Sequence, residues 1–290
     1  MIILNVCNGL GNQMFEYAFA RALALKNNDK LYISLDNFDG TGGNREYGLS
    51  KFVLGNDVDF VENHKLLHSI YNAYINGSSS KLMYFILSFL ERFLKIFNVY
   101  SEKDVRQLKK IPYYRHKINI YTGIFQSEEY FSEYKEKIID DFKLKDIRND
   151  VKEYGEIINK DAESVCLHVR RGDYLYYSGF DVCSVSYYYS AIDLIKKKLP
   201  NATIYLFSDD IEWSKKQFPE VSVINIKTDM YEDLYLMSKC NNFIMSNSTF
   251  SWWAQYLSDN KIVIAPNYWL EGQETVNDCI YNPAWILLDC

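Results

Sequence analysis

Histidine is scarce in this 290-residue chain, with four copies, and its six cysteines (Cys7, Cys166, Cys183, Cys240, Cys279 and Cys290) never form a C-x-x-C pair. That spacing excludes a zinc knuckle and a dense disulfide framework, and reduced thiols in a cytoplasm are expected. His64, His68 and His116 have no cysteine or carboxylate neighbours at ligand spacing. Basic residues are outnumbered, 32 Lys and Arg against 38 Asp and Glu, for a net charge of -6. A nucleic-acid partner is therefore excluded, because counterion release needs a basic face. A small anionic substrate would need basic residues gathered locally. Long apolar runs are missing too. The most hydrophobic stretch, Leu82 to Phe97, is broken by Glu91, Arg92 and Lys95, short of the roughly 20 apolar residues of a membrane span. It reads as an amphipathic helix facing a core, with peripheral contact at a membrane surface as the alternative. The start, Ile2 to Val6, reads as a buried strand without the basic opening of an export signal, so a cytoplasmic location is expected.

Hydrophobic residues make up 48% of the chain, enough for two ordinary cores. Two domains are expected, 1–155 and 156–290, with the boundary in the polar stretch Arg148 to Ala162. The first opens as a strand (Ile2 to Val6), a Gly-rich turn (Asn8 to Gln13), a helix (Met14 to Lys26) and a strand (Lys30 to Leu35) ending at Asp36. Phe15, Phe19, Ala22 and Leu23 share one helical face. The second carries apolar strands at Val165–Val169, Thr203–Phe207, Val221–Ile226, Asn242–Met245 and Lys261–Ala265, separated by helical segments at Ser184–Leu199, Ile211–Phe218, Tyr231–Cys240 and Thr249–Leu257. That alternation predicts a parallel, doubly wound sheet.

Ligands of open parallel sheets lie beyond the carboxyl ends of the strands. The residues there are Arg170, Arg171 and Asp173, then Ser208, Asp209 and Asp210, then Ser246, Asn247, Ser248 and Thr249. The last group precedes a helix, so its hydroxyls and free N–H groups suit an anion, although N-capping alone accounts for Ser248 or Thr249. Arg170 offers a planar fork for phosphate oxygens, while Arg171 and Asp173 are expected to pair with each other or with the loop. Asn8-Gly-Leu-Gly-Asn-Gln13 has part of a dinucleotide fingerprint, but Met14 stands where its third glycine belongs. Asp57-Val-Asp59 has the D-x-D spacing of metal-dependent sugar transferases without a convincing strand before it, and chance explains it better. Trp252 and Trp253 are expected to pack on the sheet.

Three motifs together, His168-Val-Arg-Arg-Gly-Asp-Tyr174, Gly9-Leu-Gly-Asn-Gln-Met-Phe15 and Ser246-Asn-Ser-Thr-Phe-Ser-Trp-Trp253, resemble glycosyltransferase family 11, known mainly for α-1,2-fucosyltransferases. The resemblance implies an α/β chain of two Rossmann-like domains facing each other (GT-B-like), inversion at the sugar, GDP-fucose as donor, a β-galactoside glycan as acceptor and no metal or other cofactor. It places Arg170 on the GDP phosphates, His168 beside the nucleotide, and Ser248, Thr249 and Ser251 along the phosphates. Gly9, Gly11, Gln13, Arg171 and Asp209 join the donor-side set, and Asp233 resembles an aspartate set against guanine. Asn12 matches an asparagine near the reacting centre of protein O-fucosyltransferases and is a candidate for orienting the acceptor hydroxyl. Asp173, flanked by arginines, is a poor proton acceptor, so its expected role is to orient Arg170 or Arg171. Two rivals remain: a nicotinamide enzyme with Asp36 on the ribose, and a sugar-nucleotide binder without transfer chemistry.

Overall fold

The computed structural model describes residues 1–38, 46–76, 95–102, 108–176, 179, 182–224, 226–270 and 279–290. The expected loop at 40–43 and nearly all of the expected helix at 82–97 lie outside them. Phe97 itself opens a strand rather than closing a helix. The chain forms two compact units, Met1–Lys143 and Leu144–Cys290.

In the first unit the elements run β1 (Ile2–Asn5), α1 (Leu10–Asn27), β2 (Leu31–Ser34), β3 (Val58–Phe60), α2 (Lys65–Tyr71), β4 (Phe97–Ser101), β5 (Ile118–Thr122) and α3 (Lys135–Asp141). The strands lie in the order β3-β2-β1-β5-β4 and all their pairings are parallel. The order turns back on itself between β1 and β5, the kind of switch point whose carboxyl ends form a crevice in open parallel sheets. Ile3, Tyr32, Phe97 and Ile120 build the sheet's core with Val61 and Tyr71.

Helix α1 begins at Leu10, ahead of the expected Met14, so Gly11, Asn12 and Gln13 form its first turn. The left-handed turn residue before it is Asn8 (φ 66°), while Gly9 is an extended N-cap (φ -79°, ψ 167°). Asparagine tolerates that backbone better than most side chains, so the glycines are not what makes the turn. The helix is buried beyond the face expected for it, and its three buried polar side chains therefore need partners. Arg21, 2% exposed, binds Asp141 at 2.9 Å and Asp57 at 2.8 Å. Gln13 donates to the carbonyls of Asn8 (2.8 Å) and Glu46 (2.9 Å) and accepts from the Gly48 N–H (2.8 Å). Glu16 accepts from the Cys7 N–H at 2.9 Å and from its thiol at 3.3 Å.

The second unit runs α4 (Asn149–Lys160), β6 (Val165–Val169), α5 (Val185–Lys198), β7 (Ile204–Ser208), α6 (Ile211–Gln217), β8 (Ser222–Val223), α7 (Met230–Met237), β9 (Asn242–Ile244), α8 (Thr249–Tyr256), β10 (Ile262–Pro266) and β11 (Ile286–Leu288). Its parallel sheet has the order β11-β10-β9-β6-β7-β8, with the switch point between β6 and β9. Val165, Leu167, Leu206, Ile244 and Ile264 pack against Tyr187, Tyr188, Ala191 and Ile195 of α5. Trp252 and Trp253 are fully buried, and the Trp252 indole donates to the Ile280 carbonyl at 2.8 Å.

The unit boundary precedes the polar stretch in which it was expected. That stretch is helix α4, and it belongs to the second unit for a local reason. A Cβ on Gly155 would lie 2.8 Å from the Tyr235 ring, so the glycine lets α4 close on α7 with that ring in its present place. Arg148 adds an ion pair to Glu232 at 3.4 Å and a hydrogen bond to the Lys227 carbonyl at 2.9 Å.

Burial, the largest cause, pushes the Glu16 carboxyl from 4.5 up to about 8, helped by the charge of Glu102 and opposed by the donors on Cys7 and Asn8. The native state then keeps this proton up to about pH 8, whereas the unfolded chain releases it near 4.5. Its stabilising contribution is full below the lower value and is lost as pH rises, by about 1.4 kcal/mol per pH unit. The stability of wild type relative to Glu16→Gln, from urea unfolding, is expected to fall with that slope between the two values. A difference independent of pH would show the carboxyl already ionised in the native state.

Candidate functional site

At the switch point of the second sheet, β6 ends in Arg170-Arg171-Gly172-Asp173 and β9 leads through Met245–Ser248 into α8. The loop after β6 is shaped by one side chain, Asp209, from the end of β7. Its Oδ1 accepts from the N–H groups of Arg171 (2.9 Å) and Gly172 (3.1 Å), and its Oδ2 pairs with Arg170 Nη1 at 2.9 Å. Gly172 is required by that approach, because a Cβ there would stand 2.7 Å from Asp209 Oδ2.

Arg170 Nη2 donates to Asp173 Oδ1 at 2.6 Å, and its guanidinium carbon lies 5.3 Å from the centre of the Tyr174 ring. Asp173 thus braces Arg170 and not Arg171. Arg171 turns instead to Asp210 (3.3 Å) and stacks its guanidinium 4.0 Å from the Trp213 ring centre. Of the partners expected for Asp173, Arg170 is the one taken, because the stack on Trp213 carries the Arg171 guanidinium away, which also relieves the repulsion between adjacent cations. Arg170 keeps a quarter of its side chain exposed, and its buried Nε has no hydrogen-bond partner.

His168 is 5% exposed. Burial first, and then the Arg170 charge, lowers its pKa from 6.5 to about 3, so the ring is neutral at physiological pH. Nδ1 lies 3.0 Å from Ser246 Oγ and 2.5 Å from Ser251 Oγ, and the two hydroxyls are 3.1 Å apart. With a serine hydroxyl donating to Nδ1, the ring's proton sits on Nε2, available to an incoming oxygen. Ser251, expected along the phosphates, is instead fully buried behind His168. Ser248 caps α8, accepting from the Phe250 N–H at 3.3 Å, and Thr249 is the partly exposed first residue of that helix. Tyr174 donates to the Asn247 carbonyl at 3.1 Å and Asn247 to the Trp269 carbonyl at 3.0 Å, which ties the loop after β6 to the segment after β9.

Asp233 sits in the first turn of α7 and accepts from Thr228 Oγ1 at 2.6 Å. Burial first, and then the charges of Asp229 and Glu232, hold its carboxyl above the usual carboxylate range. In the first unit, Asn12 accepts from Gln126 Nε2 at 2.9 Å through Oδ1. Gly9, the N-cap, and Gly11, in the first turn, precede it at the start of α1, and the Gln13 amide is committed on both sides to backbone. Asp36 begins a single turn past β2, over Asp36–Phe38. Asp57 bonds Arg21 and Asp59 bonds Asn63 and His64, so both carboxylates of the D-x-D serve local structure. Among the described residues no three His, Cys, Asp or Glu side chains converge on a metal position, and no helix is long and apolar enough to cross a membrane.

Sequence reasoning missed Ser246 as a partner of His168, Glu16 beneath the Gly-rich turn, and Gln126. The first was visible as a hydroxyl after a strand. Glu16 needed the turn that brings Cys7 over the first turns of α1, and Gln126 needed the pairing of β5 with β1.

An arginine fork, a neutral histidine and a capped helix start at the switch point of a parallel sheet define an α/β protein equipped for an anionic group. The chain belongs to glycosyl transferase family 11, whose model matches residues 1–289. It is 31% identical over 289 residues to an α-1,2-colitosyltransferase of Escherichia coli, covering 94% of each chain. It is 30% identical to the O-antigen biosynthesis glycosyltransferase WbnK of Escherichia coli, over 91% of this chain and 93% of that one. A galactoside 2-α-L-fucosyltransferase of Caenorhabditis elegans is 31% identical over 41% of this chain and 38% of its own. Among solved structures, the fucosyltransferase NodZ from Bradyrhizobium superposes with a TM-score of 0.49 and 16% identity, over 89% of this chain and 93% of that chain.

Because Asp209 is pinned by three contacts, Gly172→Ala is expected to lower unfolding free energy by about 1–3 kcal/mol, as overpacking does. Urea denaturation measures it. An unchanged midpoint would mean that Asp209 moves freely and does not shape the loop.

Proposed function

We propose that the chain is an inverting α-1,2-fucosyltransferase that moves L-fucose from GDP-fucose to the 2-hydroxyl of a terminal β-galactoside. The second unit holds the donor, and the first carries the acceptor-orienting residue Asn12. Family membership supports sugar transfer, and two relatives named for α-1,2 or 2-α transfer support the linkage. The observation that carries the donor assignment is the Arg170 fork beside the start of α8, at the place where parallel sheets bind ligands.

In the reaction the acceptor oxygen forms a bond to the anomeric carbon as the bond from that carbon to the β-phosphate oxygen breaks. The electron pair leaves on GDP and the acceptor proton passes to solvent or a nearby base. Charge therefore grows on the diphosphate, and a donor already aimed there lowers the barrier. Arg170 is aimed by Asp173 and Asp209, so the diphosphate shares the guanidinium with those carboxylates or takes the place of Asp173 at Nη2. His168, neutral and held from behind by two serines, donates through Nε2, while Ser248, Thr249 and the N–H groups at the start of α8 meet the remaining oxygens. Asp233, in the first turn of α7, accepts from the guanine edge through its carboxylate oxygens. The glycan acceptor and peripheral membrane contact belong to the same proposal.

A second reading, colitosyl transfer, is favoured by the 31% identity to the colitosyltransferase over 94% of the chain. The nicotinamide reading yields to family membership.

The test is GDP release from GDP-fucose and from the corresponding colitosyl nucleotide, with a β-galactoside acceptor, with and without chelator. Turnover with GDP-fucose unaffected by chelator is expected. Release no faster than without acceptor would leave a binder, and preference for the colitosyl donor would favour the second reading. Arg170→Ala is expected to cost about 100-fold or more in kcat, the scale of removing one preorganised donor. Turnover near wild type in that variant would remove Arg170 from the mechanism.

A further inference from the structure

The crevice of the first sheet has a second lip, the loop Gly123–Ser127 after β5, and its backbone is held in an unusual state. Phe125 has φ 43° and Gly123 φ 153°. A bulky side chain in the left-handed region is strained and persists only where its surroundings over-determine it. Here they do. The Phe125 ring is fully buried and stacks on Phe19, 3.9 Å between centres at 15°. Glu102 Oε2 accepts from the N–H groups of Ile124 (3.1 Å) and Phe125 (2.7 Å), and the Ser127 N–H returns to the Phe125 carbonyl at 2.8 Å. Between these anchors stands Gln126, whose Nε2 donates to Asn12 Oδ1 at 2.9 Å.

We propose that Gln126 is a positioning residue for Asn12: the strained loop delivers its amide to the Asn12 carbonyl oxygen, so that Asn12 presents its NH2 group, and not its oxygen, to the acceptor. The proposal rests on Asn12 being the acceptor-orienting residue. Its chemistry is simple. An amide has a donor end and an acceptor end, and occupying one fixes which way the other faces. A donor pointing outward holds the acceptor hydroxyl by one oxygen lone pair and leaves the other for attack on the anomeric carbon. The reverse orientation would hold the hydroxyl by its hydrogen instead. No described residue accepts from the Asn12 NH2, and the side chain is partly exposed.

The experiment is a double-mutant cycle of Gln126→Glu and Asn12→Ala, read as kcat and KM for each substrate, with thermal unfolding recorded for every variant. Glutamate keeps the size but cannot donate when ionised, so the Asn12 amide is expected to turn its NH2 toward it. Gln126→Glu should lower kcat at least 10-fold with little change in Tm or in donor KM. Activity relative to wild type should recover as pH is lowered far enough to protonate the new carboxyl. In the Asn12→Ala background the same substitution should add nothing. If Asn12→Ala is costly while Gln126→Glu is near wild type, or costs as much in the Asn12→Ala background as alone, the positioning role is overturned and Asn12 keeps its own. If Asn12→Ala turns over normally, the acceptor reading of Asn12 fails, and this proposal fails with it.

Discussion

One carboxylate organises the chemistry of the second unit. Asp209 reaches across from the end of β7, takes two backbone N–H groups of the neighbouring loop and pairs with the guanidinium that follows β6. Charge-assisted hydrogen bonds of this kind are among the stronger ones a protein makes. Here they fix the loop's path and the side chain's direction together. The need for glycine at 172 follows from where that carboxylate stands, and Asp173 on Arg170 and Asp210 with Trp213 on Arg171 complete the arrangement. The loop offers direction more than surplus charge: three carboxylates (Asp173, Asp209 and Asp210) surround two guanidinium groups. An anion that binds there competes for a donor already aimed, which is the condition under which electrostatic stabilisation needs little reorganisation.

The same device recurs in the first unit with different residues. Glu16 holds the N–H and the thiol of Cys7 at the end of β1, and Glu102 holds two N–H groups after β5. Each lip of that crevice hangs from a carboxyl group on a neighbouring element. Glu16 is protonated well above the ordinary range and Glu102 lies close enough to contribute to that shift, so two carboxyl groups coexist near one another partly because one of them stays neutral. The polar interior of α1 is the structural consequence of serving these loops.

Much of the second unit was legible because a buried parallel strand announces itself as a short apolar run and the residue after it marks the ligand edge. Five such runs located β6 to β10, and Arg170, Asp173 and Asp209 were on the list of strand-end residues they produced. The list could not assign partners. Asp173 had a claim on either arginine and Asp209 was placed with the donor, and only the neighbouring of β6 and β7 shows that Arg170 takes both carboxylates. The first unit was less legible beyond its opening strand, helix and strand. β3 has three residues, none buried, and β4 alternates in exposure, so neither carries a continuous apolar signal. Helix α1 was placed too late because glycines usually mark a turn, whereas Asn8 makes the turn here. The domain boundary was misplaced because α4 is polar on much of its surface, although it packs through Gly155.

The proposed function depends on the donor's diphosphate meeting Arg170 and the start of α8 at the β6 and β9 strand ends. The most direct measurement is a crystal structure of the chain with GDP. Phosphate oxygens are expected within hydrogen-bond distance of the Arg170 guanidinium, with His168 Nε2 and Thr249 among the other donors. GDP lodged away from those strand ends, with Arg170 still closed on Asp173 and Asp209, would contradict it.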